Sequence, residues 1–89
     1  MMIDERWFKQ KGQFFQQMRK RKFPQDTQRA FAARIGVGLT TIQNLEAGKD
    51  GVAWGTIIKV LDILGLEHEV EKLLSLPAYE IKVKAGENW

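Results

Sequence analysis

The sequence of 89 residues contains no cysteine, one histidine and two prolines. Without cysteine it can form neither disulfide bonds nor a thiolate zinc site, and a reducing cytoplasm is the simplest compartment for it. The first residues are charged and lack the apolar run of a signal peptide, and no later run is long enough to cross a membrane. We therefore expect a cytoplasmic protein built around one modest core.

The sequence offers little material for an active site. Its one histidine, His68, is flanked by Glu67, Glu69 and Glu71. Glu67 and Glu71 would share a helix face, but His68 also lies four residues before Lys72, which is typical of an exposed, charged helix face. We expect no enzymatic activity, no bound metal and no cofactor.

The net charge of +3 is unevenly distributed along the chain. Residues 1–50 contain ten Lys or Arg and five Asp or Glu, whereas residues 51–89 contain four and six. A basic half of this kind is typical of a surface that faces a polyanion. The distribution therefore favours a nucleic-acid partner.

Apolar residues at helical spacing predict five helices. The first runs from Trp7 to about Lys22 and ends before Pro24. Thr27 is a good N-cap for the second helix, and Gly36 is expected to end it in the left-handed conformation. The other predicted ranges are about Gln28–Ile35, Leu39–Ala47, Ile57–Leu64 closed by Gly65, and about Glu67–Leu74.

The end of the sequence changes its period. On the last helix we expect Val70, Leu73 and Leu74 to pack inward. Beyond Pro77, three apolar residues alternate with charged ones, which predicts a strand: Tyr79, Ile81 and Val83. A lone strand needs a partner, so we divide the chain into a helical domain, residues 1–76, and a C-terminal strand and tail, residues 77–89.

The stretch TQRAFAARIGVGLTTIQNLEAGK, residues 27–49, resembles the Cro/repressor type of helix-turn-helix, the lambda-repressor-like or XRE family. The matching positions are Gln28, Phe31, Ala32, Ile35, Gly36, Val37, Ile42, Leu45, Glu46 and Gly48. With the following helix, residues 57–66, the likeness covers about two-thirds of the chain. The resemblance implies an all-α, five-helix domain that binds duplex DNA. It also implies that Glu46 pairs with Arg19 or Arg21.

Small residues in this motif allow the second and third helices to approach each other closely. Ala32 and Gly36 are small, so we expect the second and third helices to cross closely and the third helix to enter the major groove. With Ile42 and Leu45 pointing inward, the outward face of the third helix contains Thr40, Gln43, Asn44 and Ala47, with Leu39 and Thr41 at its edges.

The outward side chains suit the edges of bases. Asn and Gln can bond adenine in a bidentate manner, while Thr and Leu can meet a thymine methyl group. The predicted base contacts are Leu39, Thr40, Gln43 and Asn44, to which the resemblance adds Gln28, as a contact to a base or to a phosphate-bound network. The predicted phosphate contacts are Arg19, Lys20, Thr27, Thr41 and Lys49, although a solvated side chain is an equally good interpretation of each basic residue among them.

One short helix contacts only a few base pairs, so useful specificity calls for two half-sites about 34 Å apart. The sequence therefore predicts a nucleoid-associated transcriptional repressor that binds a palindromic operator as a homodimer. The alternative is an antitoxin of the HipB type, which would bind a toxin protein and repress its own operon. In that case residues 79–84 would pair across the dimer, and Trp89 would either anchor in a partner's pocket or belong to an untethered tail. A phage-type repressor is the third interpretation within the same fold.

Overall fold

The computed structural model describes residues 2–77, and within that range the chain forms five α-helices and no strand. The helices are α1 (Glu5–Lys22), α2 (Gln28–Ile35), α3 (Leu39–Glu46), α4 (Trp54–Ile63) and α5 (Glu67–Leu74). The predicted all-α, five-helix domain is confirmed. The predicted strand at residues 79–84 and Trp89 lie outside the described residues.

None of the helices in residues 2–77 is both long enough and apolar enough to span a membrane.

Local capping signals set several helix ends. Asp4 accepts a hydrogen bond from the backbone nitrogen of Trp7 at 3.0 Å, which fixes the start of α1. Thr27 accepts one from the backbone nitrogen of Ala30 at 3.1 Å, as predicted for the start of α2. Gly36 ends α2 with φ 89°, a left-handed conformation that glycine adopts without strain. The observed bounds of α2 therefore agree with those predicted from the sequence.

The core lies between α2, α3 and α4, and α1 packs along one side of it. Its buried apolar residues are Phe31, Ala32, Ile35, Ile42, Leu45, Val60 and Leu64. Phe15 and Met18 of α1 are partly buried against this cluster. Full burial of one large apolar side chain contributes about 1.5–3 kcal/mol, so these few residues hold the helices in place.

Gly36 does not have the steric role predicted for it. A Cβ atom at Gly36 would meet nothing within 4 Å, so this residue serves the positive φ of the turn and not a close helix crossing. Ala32 is buried between the helices, as predicted. The close approach occurs elsewhere, where α1 crosses the end of α3 at Gly12 and Gly48.

The prediction for the inward face of α5 is wrong at two of three positions. Leu73 is 81% exposed and Leu74 is 60% exposed, while Val70 is half-buried. Helical spacing determines which residues share a face, but whether another element covers that face depends on the tertiary fold. Within the described chain, α5 packs mainly on α4 and leaves the two leucines uncovered.

Candidate nucleic-acid interface

Helix α3 packs into the core on one side and presents a polar surface on the other. Ile42 and Leu45 are buried, as predicted. The opposite side consists of the exposed Thr40, Gln43 and Ala47 and the half-buried Leu39, Thr41 and Asn44. We call Leu39, Thr40, Gln43 and Asn44 the α3 face. Its amide and hydroxyl groups can both donate and accept, which is what contacts with base edges in the major groove require.

The start of α2 lies next to the end of α3. Gln28, the first residue of α2, donates a hydrogen bond from Nε2 to Oε1 of Glu46 at 2.9 Å. The contact brings together two residues 18 positions apart and places Gln28 beside α3. Thr27, which precedes Gln28, is exposed. The N-terminus of α2 thus combines an accessible hydroxyl with the positive end of a helix dipole, a combination that suits a phosphate group.

A buried guanidinium joins the three helices behind this surface. Arg19 of α1 donates from Nε to Oε2 of Glu46 at 2.6 Å and from Nη2 to Oε1 at 3.0 Å. Its third nitrogen, Nη1, donates to the backbone oxygen of Asp26 at 3.2 Å. Arg19 therefore ties α1 to the end of α3 and to the loop that precedes α2, which fixes these segments relative to each other.

This network decides between the two arginines that the resemblance implied as partners of Glu46. The partner is Arg19, and both side chains are almost fully buried, at 5% exposure for Arg19 and 8% for Glu46. The same burial corrects the prediction that Arg19 contacts phosphate. Each of its three nitrogens already donates to a partner inside the protein, and the buried side chain presents almost no surface to a phosphate group.

The loop before α2 is held by a second ion pair, which the sequence did not reveal. Arg34 donates to both carboxylate oxygens of Asp26, at 3.0 and 3.2 Å, and its guanidinium lies 4.2 Å from the centre of the Phe23 ring. The hydrogen bonds from Arg34 hold the pKa of Asp26 below its ordinary value of 3.8, and Asp26 raises the pKa of Arg34 in return. Asp26 and Arg34 are eight residues apart across a loop, a separation with no helical signature.

Of the three other predicted phosphate contacts, Thr41 is half-buried in the first turn of α3, and the two lysines lie at or beyond the ends of helices. Lys20 is exposed on the last turn of α1, and Lys49 is exposed just after α3. The backbone nitrogen of Lys49 donates to the backbone oxygen of Asn44 at 2.9 Å, which closes the end of α3. Both side chains are therefore available to a phosphate group or to solvent.

An apolar groove of about 510 Å³ opens between α1, the end of α3, α4 and α5, and Lys49 is one of its lining residues. Its apolar lining includes Trp7, Phe8, Phe14, Phe15, Leu61 and Leu73. The groove contains none of the residues of the α3 face. It is a second surface with a different chemical character.

A family model described as "Helix-turn-helix" matches residues 18–70. The match extends from the last turns of α1 into α5 and includes every residue predicted to contact DNA. Searches of curated proteins and of solved structures gave no significant match.

Proposed function

Because the chain belongs to the XRE-type helix-turn-helix family, and is therefore a DNA-binding transcription regulator in general, we propose that it is a repressor. In this proposal it binds a palindromic operator as a homodimer. The observation that carries the proposal is the α3 face, where polar side chains point away from a core held by Ile42 and Leu45.

The proposed base contacts are the residues of the α3 face together with Gln28. Asn44 and Gln43 carry amides that can bond adenine through two hydrogen bonds, and each such pair discriminates between bases by about 1–3 kcal/mol. Thr40 and Leu39 can meet thymine methyl groups. Two observations support this assignment: Thr40 and Gln43 are exposed while Leu39, Asn44 and Gln28 are only half-buried, and Ile42 and Leu45 hold α3 on the core.

We assign phosphate contacts to residues that lie at or near the ends of α1, α2 and α3. They are Lys20, Thr27, Thr41 and Lys49, while Arg19 is left out because it is buried in its pair with Glu46. Contacts of this kind add affinity for every sequence and make binding depend on salt concentration.

The length of α3 supports the proposed dimer. A helix of eight residues is about 12 Å long and spans only a few base pairs, so one copy reads too little sequence for a useful operator. Two copies related by a twofold axis would read two half-sites about 34 Å apart.

Selection of bound sequences from random duplex DNA, followed by light scattering of the complex, tests this function. We expect a palindromic consensus with half-sites about 10 base pairs apart, one helical turn of DNA, and two chains per duplex. Recovery of sequences with no consensus would refute specific recognition, and one chain per duplex would refute the dimer.

An antitoxin remains the second candidate, and the apolar groove supports it. The aromatic lining and the exposed Leu73 at its rim provide the type of surface that protein partners use. Purification of the protein from its native host, with and without residues 79–89, tests this function. A stoichiometric protein partner retained by either form would favour the antitoxin, and its retention by the shortened chain would be consistent with binding at the groove. Purification of both forms without a stoichiometric partner would favour the repressor.

A further inference from the structure

Gln28 is held at one end by a charged group that is itself immobilised. Oε1 of Glu46 accepts hydrogen bonds from Gln28 and from Arg19, and its Oε2 accepts the shorter bond from Arg19. Glu46 is buried, and every buried side-chain nitrogen and oxygen in residues 2–77 has a hydrogen-bond partner. The carboxylate therefore cannot turn away from Gln28 without breaking its bidentate pair with Arg19.

The chemistry of the carboxylate decides which end of the Gln28 amide faces outward. An ionised carboxylate only accepts hydrogen bonds, so it can bind the amide nitrogen of Gln28 and repels the carbonyl oxygen. The Oε1 atom of Gln28 is thus turned away from Glu46. Because Gln28 is only half-buried, a ligand can still approach the rest of its amide.

We infer that Glu46 is a positioning residue that sets Gln28 to accept a hydrogen bond from the amino group of a base, adenine N6 or cytosine N4. This inference rests on the proposed function and adds a specificity determinant to it. Phosphate oxygens carry no proton to donate, so the outward carbonyl oxygen of Gln28 has no partner on the DNA backbone, while the second proton on Nε2 can still donate. The arrangement therefore favours a base amino group as the partner of the carbonyl oxygen of Gln28.

Selection from random duplex DNA with three variants tests the inference. Gln28→Ala removes the acceptor, while Glu46→Gln keeps the shape but provides a side chain that also donates, so that the Gln28 amide can reverse. We expect the wild type to select adenine or cytosine at one position of each half-site. In each single variant the preference for adenine or cytosine at that position should be about fivefold weaker than in the wild type, and preferences at other positions should not change. The double variant should lose no more than Gln28→Ala alone.

Lys20→Ala is the matched control, because a phosphate contact affects all sequences equally. It should lower affinity throughout without changing the preference at any position. A uniform loss in Gln28→Ala would overturn the inference, since it would mean that Gln28 contacts phosphate. If the wild type selected no sequence at all, the proposed function itself would fail.

NMR of the free wild-type protein provides a measurement that does not depend on the stability of Glu46→Gln. The side-chain amide protons of Gln28 should exchange with solvent several times more slowly than those of the exposed Gln13 and Gln17. Exchange of Gln28 as fast as that of the two controls would overturn the inference.

Discussion

Gly12 of α1 and Gly48 beyond the end of α3 lie in backbone contact. A Cβ atom at Gly12 would lie 2.6 Å from the nitrogen of Gly48 and 2.6 Å from the backbone oxygen of Glu46. One at Gly48 would lie 2.6 Å from the Cα of Lys9, and Gly48 also has φ 78°. Any larger residue at either position must displace backbone. The two glycines therefore set the distance between α1 and α3.

Gly12→Ala should destabilise the protein, although alanine is the better helix former. The overpacked crossing costs about 1–3 kcal/mol or more, which exceeds the gain of about 0.5–1 kcal/mol from helix propensity. The matched control is Gly55→Ala in α4, where the added Cβ would meet nothing within 4 Å. Urea unfolding should show a loss of stability in the first variant and no loss in the second. Equal stability of the two variants would contradict the close approach.

The Arg19–Glu46 pair should show strong energetic coupling. Arg19→Met leaves the carboxylate of Glu46 buried without its charged partner, which costs about 3–5 kcal/mol. The double variant Arg19→Met with Glu46→Leu removes both charges and should lose less than the sum of the two single losses. A double-mutant cycle of unfolding free energies measures this coupling, and additive losses would show that the two residues act independently.

The Asp26–Arg34 pair makes stability depend on acid pH. The hydrogen bonds that Arg34 donates to Asp26 hold the pKa of Asp26 in the folded protein below its ordinary value of 3.8. The pair's contribution is therefore complete above about pH 4 to 5, and is lost as the pH falls through the lowered pKa. In Asp26→Asn the melting temperature, measured by circular dichroism, should depend less on pH between pH 5 and pH 2 than in the wild type. Asp62→Asn, at an exposed position of α4, serves as the control. An unchanged pH profile in Asp26→Asn would show that the pair contributes nothing.

Lys20 should contribute to binding through a phosphate contact. Lys20→Ala is expected to weaken binding to all duplex sequences and to reduce the slope of log affinity against log salt concentration by about one unit. Lys72→Ala removes an equal charge from α5, away from the proposed interface, and should leave the slope unchanged. If both variants show the same slope, Lys20 acts only through net charge.

Local signals in the sequence were sufficient for the helices of the motif. Thr27 as a cap and Gly36 as a left-handed stop are properties of single residues and their neighbours, so the bounds of α2 could be predicted. The inward pair Ile42 and Leu45 follows from helical period alone. That period also determines which residues form the α3 face.

Contacts between residues far apart in the sequence could not be predicted from local signals. The choice of Arg19 over Arg21, and the bond from Gln28 to Glu46, depend on how α1 and α2 are placed against α3. Gly12 did leave a signal, because a glycine inside an 18-residue helix costs stability unless another segment needs the space. The exposure of Leu73 left none, since spacing does not reveal whether a face is covered.

Asn44 is the most informative member of the α3 face, which we propose to read bases. Asn44→Ala keeps the helix and removes one amide, so the free energy difference between preferred and other bases should fall by about 1–3 kcal/mol at one position of each half-site. The measurement compares the sequences selected from random duplex DNA by the wild type and by Asn44→Ala. We expect the consensus to relax at that position and to be retained elsewhere, and an identical consensus from both proteins would refute base reading by Asn44.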